Sequence, residues 1–294
     1  MKPRDKFLAL EEKATAFGRR WAPRSGPQGG DLPSLCPTDV VDLIVFHKLE
    51  LSMPFESALK SYRNLKTRFV DWNEIRVTSL REIQDVIAPG PESLGASVFI
   101  KEFLEFVHRE RQRVSLEFLV EENFGEIRRY LKQVRGLDPA TVNLVLRVRK
   151  DLPVVPLNRA MERVLDRIGL LRSASRREQK ERALHERLAP ENALAVHHFL
   201  LNHSQEYCPP DETNLACERC CMRRVCAFYA WSASRRKRRP PARNSRPSGA
   251  PAAALRVGAA KAKARGELRR PSRLSRRPVG VRRRPSRGRP PNLP

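Results

Sequence analysis

The stretch VRGLDPATVNLVLRVRKDLPVVPLNRAMERVLDRIGL, residues 134–170, decides how this chain is read. A helix is expected to end at Arg135, because Gly136 permits the tight turn that follows. Asp138-Pro139 then opens a second helix, since Asp is a good N-cap and Pro suits the first helical position. After a short Pro-bounded loop, Asn158 is placed to cap a third helix. A hairpin between two helices can aim backbone N–H groups at a phosphate. The same pattern also describes an ordinary helix–turn–helix corner.

Outward from this stretch, apolar residues recur at intervals of three and four in DVVDLIVFHKL, PFESALKSY, SVFIKEFLEFV, FGEIRRYLKQV and NALAVHHFLL. No alternating pattern of a strand stands out, and the breaks carry Pro, Gly or Asp. Residues 37–230 therefore predict an all-α domain of nine or ten short helices. Residues 1–36 read as an N-terminal extension, a short amphipathic stretch followed by the linker SGPQGGDLPS. Residues 231–294 form a third segment, rich in Arg and Pro.

That last segment holds 21 Lys or Arg against the single acid Glu267, a net of +20, which leaves +5 of the formal +25 for the other 230 residues. With almost no aromatics to bury, such a tail cannot offset its ordering entropy and is expected to be disordered. Its charge gives salt-sensitive attraction to nucleic-acid phosphate; a merely solubilising extension is the other reading. No apolar run reaches the roughly 20 residues that span a bilayer. The N-terminus lacks the apolar core of a signal peptide. The chain is expected to be cytoplasmic, associated with the nucleoid if it binds DNA, and monomeric.

Of six cysteines, five lie between Cys208 and Cys226. Five thiols in so short a segment, in a chain expected to be intracellular, point to a metal site rather than a disulfide framework. Cys208, Cys217, Cys220 and Cys226 give the spacing C-x8-C-x2-C-x5-C. Four such thiolates can hold a tetrahedral zinc ion or a [4Fe–4S] cluster, and spacing alone does not choose. Cys221 could replace Cys220 in the set.

The hairpin stretch resembles the helix-hairpin-helix (HhH-GPD) DNA glycosylases of the endonuclease III group. Their hairpin reads L-P-G-V-G-x-K-T-A-N-x-V-L and is followed by P-V-D-T-H-V-x-R-V-x-x-R-L-G-L. The counterparts here are VRGLDPATVNLVL (134–146) and PLNRAMERVLDRIGL (156–170). HHFLLNHSQEYC, residues 197–208, is similar to the family's H-H-x-L-x-x-H-G-x-x-x-C. The family cluster follows C-x6-C-x2-C-x5-C, so three ligands match in register and the first loop is two residues longer. The resemblance covers about Pro37 to Cys226. It implies a two-lobed all-α fold with an iron–sulfur cluster loop, a DNA groove between the lobes, DNA contact at Gly136, Leu137 and Asp138, and [4Fe–4S] in preference to zinc.

The departures concern chemistry. The resemblance implies a hairpin Lys as nucleophile, where an amine of depressed pKa attacks the sugar; the matching residue is Ala140. Lys132 and Lys150 are the nearby amines, each most simply a solvated helix charge. The family also implies an Asp just after the P-V pair, and the matching residue is Asn158. Losing such an electrostatic partner costs about 10²–10³ in rate, roughly 3–4 kcal/mol. Asn caps a helix as well as Asp does, so the structural duty remains while the chemical one is dropped. Asp138 replaces the second hairpin Gly, and the loop PPDETNLA, basic in relatives, carries Asp211 and Glu212 and no cation. Both changes weaken attraction to phosphate. The polar residue that intercalates in relatives falls around His47–Lys48, where a surface helix is the other reading.

These features predict a DNA-binding, base-excision-repair-type protein that has lost glycosylase and lyase chemistry, with a repair protein as a further partner. One alternative is an active monofunctional glycosylase using a displaced acid, Asp138 or Glu162. The other is an iron–sulfur interaction or redox-sensing module with no DNA role.

Overall fold

The computed structural model describes residues 2–21, 37, 39–90, 92–171 and 175–238. Among the described residues there is no strand; twelve α-helices carry the fold. They are α1 (Pro3–Trp21), α2 (Val40–Ser52), α3 (Phe55–Arg68), α4 (Trp72–Val77), α5 (Leu80–Val86), α6 (Ser93–Arg111), α7 (Phe124–Leu131), α8 (Pro139–Lys150), α9 (Arg159–Ile168), α10 (Arg177–His185), α11 (Ala193–Glu206) and α12 (Ala227–Arg238). The chain is all-α, as its periodicity predicts.

Local chemistry sets many of the boundaries. Asp39, Asp71 and Asn123 each accept a backbone N–H of the helix that follows, and Ser79 with Glu82 closes a capping box at α5. Gly169 ends α9 at φ +75°, and a Cβ there would lie 3.0 Å from that of Ala227.

The apolar faces gather into two lobes. The first core, from α2 through α8, buries Ile44, Leu49, Ile100, Phe103, Leu104 and Leu144. The second joins α1, α9 and α11 through Leu10, Met161, Val164, Leu165 and Leu200. Truncating one of these buried leucines to Ala costs about 2–5 kcal/mol.

Within the stretch 1–36 that the sequence sets apart as an extension, α1 packs into the second core. Phe7, Leu10 and Ala14, spaced along one face of α1, are buried in the second core. Lys6 Nζ donates to the carbonyls of Ile168 (2.7 Å) and Gly169 (3.1 Å) at the end of α9. At the other end, α12 continues past Trp231 to Arg238. The remainder of the Arg/Pro-rich tail, and the expectation of its disorder, lie outside the described residues, as does Cys36.

Candidate functional site

The hairpin is built by α7, a turn and α8. The first helix closes at Leu131 rather than Arg135. Gln133 N donates to Tyr130 O (3.0 Å) and Val134 N to Leu131 O (3.2 Å), a tightened exit that reaches the turn early. Gly136 is exposed at φ +74°, where a side chain is strained. Asp138 caps α8, its Oδ1 accepting from Ala140 N at 2.7 Å.

Ala140 and Asn158, which the resemblance sets opposite its reacting groups, sit on these helix starts. Ala140 is 1 % exposed. Asn158 is 9 % exposed, and its Oδ1 accepts from Met161 N at 2.9 Å as the N-cap of α9. A methyl group has no proton or lone pair to offer, and the Asn158 oxygen is committed to its own helix.

The displaced acids are equally committed. Asp138 caps α8 as described. Glu162 accepts from Arg177 Nε (2.6 Å) and Lys180 Nζ (3.2 Å). Burial opposes its ionisation, yet those two cations outweigh burial and hold its carboxyl below the usual range. Of the two amines, Lys132 is exposed and Lys150 donates to the Val120 carbonyl.

His47 is not a surface residue: it is fully buried, and it ties the hairpin to both lobes. Its Nδ1 lies 2.9 Å from Thr141 Oγ1, its Nε2 lies 3.1 Å from His197 Nε2, and His197 Nδ1 lies 2.9 Å from Pro156 O. A carbonyl only accepts, so His197 carries its proton on Nδ1. That leaves His197 Nε2 to accept from His47 Nε2–H, and His47 Nδ1 to accept from the Thr141 hydroxyl. With both rings neutral, every contact in this chain pairs a donor with an acceptor. Burial is the main cause that holds His47 well below the ordinary value and brings His197 down to about 3, the neighbouring histidines adding to it. Lys48, half-buried, places its ammonium 4.9 Å from the Phe99 ring centroid.

Glu181 escaped the sequence reading because its helix looks like a solvated charge run. It is 2 % exposed, its Oε1 accepts from Leu157 N at 2.9 Å, and Asn143 Nδ2 donates to both of its oxygens. It lines a cavity of about 390 Å³ with Leu137, Pro139, Arg177 and Arg182. Burial raises its pKa against the hydrogen bonds from Leu157 and Asn143.

Cys208, Cys217, Cys220 and Cys226 line one small cavity, walled by Val164, Ile168, Leu215, Met222 and Phe228. Cys221 is exposed and does not line that cavity; it lines a surface hollow that Cys220 also borders. Arg167 Nη1 donates to Cys208 Sγ at 3.2 Å, and His203 Nε2 lies 3.5 Å from Cys220 Sγ. Burial pushes the Cys220 thiol up to about 12 and raises that of Cys226. Among the described residues, no three His, Cys, Asp or Glu side chains close on one point as a single ion requires. Four thiols around one small cavity are a donor type that takes a thiolate-bound metal group.

No family model matches the chain. It is 22% identical over 157 residues to an endonuclease III of Sulfolobus acidocaldarius, covering 53% of this chain and 67% of that protein. It is 27% identical over 107 residues to a putative DNA glycosylase of Arabidopsis thaliana, covering 36% of each. Among solved structures it is similar to endonuclease III in a non-covalent DNA complex, at TM-score 0.52 and 16% identity over 81% of this chain and 100% of that one. A trapped endonuclease III–DNA covalent intermediate gives TM-score 0.50 and 16% identity over 79% and 99% of the two chains. A thermostable thymine-DNA glycosylase gives TM-score 0.50 and 16% identity over 77% and 98%. These comparisons give the chain the fold of the endonuclease III structures, with distant sequence similarity to an endonuclease III and to a putative DNA glycosylase.

Proposed function

We propose that this chain binds DNA as a base-excision-repair-type protein and has lost the glycosylase and lyase chemistry of its superfamily. The observation that carries the reading is the joint state of Ala140 and Asn158. One is a buried methyl group at the nucleophile's position, and the other is an amide whose oxygen caps α9. An imine-forming amine and an acid beside the sugar are both missing from those positions. The hairpin and its capped helices remain.

The cofactor that fits this reading is a [4Fe–4S] cluster held by Cys208, Cys217, Cys220 and Cys226. When bound it supplies four iron–thiolate links that cross-brace the loop. The chain's own contribution is the apolar wall of Val164, Ile168, Met222 and Phe228, which excludes water, and the Arg167 guanidinium, which offsets negative charge at Cys208. A repair-protein partner belongs to the same proposal.

Cluster-loaded protein offered a panel of lesion-bearing and abasic duplexes tests the reading, with binding and cleavage scored separately. Binding without base release or strand cleavage is the expected outcome. Turnover abolished by a point substitution overturns it.

One observation favours a second reading, an active monofunctional glycosylase using a displaced carboxylate. Asp138 and Glu162 are both engaged, but Glu181 is a buried carboxyl of raised pKa at a cavity beside the hairpin. Base release that Glu181→Gln abolishes, with folding intact, selects this reading.

A further inference from the structure

The two loops of the cysteine segment have opposite charge. PPDETNLA, residues 209–216, holds two acids and no cation, whereas residues 219–238 hold seven Lys or Arg and no acid. The fold concentrates part of that second charge. Arg219, Arg223 and Arg224 are exposed, and with Lys13 of α1 they line a surface hollow of about 580 Å³.

Two carboxylates share the hollow and leave it positive. Glu12 is 2.7 Å from Lys13 Nζ. Glu218 lies 3.9 Å from Arg223 and also accepts from the Tyr229 hydroxyl at 3.1 Å. Among the described residues, neither Arg219 nor Arg224 has an ion-pair partner. The Lys13 ammonium, stabilised chiefly by Glu12, feels Arg224 as a repelling neighbour. Gathering like charges on a concave surface raises the free energy of the free protein, and an anion in the hollow relieves it. Beyond the hollow, α12 carries Arg235 over the exposed Trp231 ring at 4.8 Å.

We propose that Arg219, Arg223 and Arg224, with Lys13, form a phosphate-binding surface that takes the backbone of duplex DNA, separate from the hairpin. This rests on the DNA-binding reading above. The chemistry of the hollow selects the partner. Its aliphatic members are Ala9 and Val225, too small to seat the aromatic or aliphatic anchor that a protein interface centres on. Guanidinium forks match phosphate oxygens two at a time, and a duplex presents them in a row. The surface carries no base-reading arrangement, so its contribution is independent of sequence.

The test compares full-length wild type with R219A/R223A/R224A, measuring affinity for an undamaged duplex across a salt series. Three lost phosphate contacts lower the slope of log K against log salt by about 2–3, which at about 0.1 M salt corresponds to roughly 10²-fold weaker binding. The lysine variant R219K/R223K/R224K is expected to keep most of the slope. The control K60A/R81A/R113A, which removes as much charge elsewhere, is expected to change the slope by less than about one. Wild-type slope and affinity in the alanine variant overturn the surface while leaving DNA binding standing. Equal loss in the lysine variant also overturns it, because the effect is then not one of charge. No duplex binding by the wild type overturns the DNA-binding reading itself.

Discussion

The hairpin seam and the cysteine loop solve burial in opposite ways. At the seam, the polar side chains around residues 140 and 158 find their partners within the protein. Asp138 caps α8, Asn158 caps α9, and Thr141, His47, His197 and Pro156 form one directed chain of hydrogen bonds. In the loop, half-buried thiols surround a common cavity, and burial raises the pKa of two of them against nearby backbone hydrogen bonds. The seam is held by the protein's own hydrogen bonds. On the proposed reading, the loop is completed by a group that binds thiolates.

The largest effect should therefore come from the loop. Replacing Cys208 and Cys226 by Ala, or stripping iron with a chelator, is expected to destabilise the second lobe by more than about 4 kcal/mol. The first lobe's helices should persist. Hydrogen exchange resolved by segment checks this, and equal protection in both lobes after stripping would erase the contrast.

Acidification tests the seam. Because the folded-state pKa of His197 is depressed to about 3, the unfolded state binds the extra proton. The stabilisation is fully present above about pH 6.5 and is lost as pH falls toward the folded value. His197 alone is expected to cost about 3 kcal/mol by pH 4, since each unit is about 1.36 kcal/mol. The shift of His47 has the same sign. Urea melts across this range check it; His197→Gln should flatten the slope.

A smaller loss is expected for Glu181→Ala. It leaves the buried Leu157 N–H without its acceptor, at about 1–3 kcal/mol. Thermal melts should rank it below the cysteine variant and above the cap variants. The smallest effects separate structure from chemistry at one position. Asn158→Ala is expected to cost about 1 kcal/mol, and Asn158→Asp only a few tenths, because both native and Asp side chains cap. A large loss in Asn158→Asp would mean that the amide has a duty beyond its cap.

Much of the site was legible because it is local. Asp138 and Asn158 read as caps from their place before a periodic segment, and the hydrogen bonds they make span two and three residues. Glu162 stood in the sequence as a candidate displaced acid, and the structure pairs it with Arg177 and Lys180 across 15 and 18 residues. His47 could not be placed because its partners lie 94 and 150 residues away.

The sequence alone determined the helical class, the capped hairpin, the grouping of five cysteines, and the identity of residues 140 and 158 as Ala and Asn. All of these depend on residue type and short spacing, which a chain carries before it folds. Only tertiary structure decided that α1 belongs to the second core, that Cys220 rather than Cys221 faces the shared cavity, and that Glu181 and His47 are buried. The physical reason is that burial belongs to whatever the chain brings alongside. Desolvation, charge and hydrogen-bond partners reach those residues from helices far off in sequence.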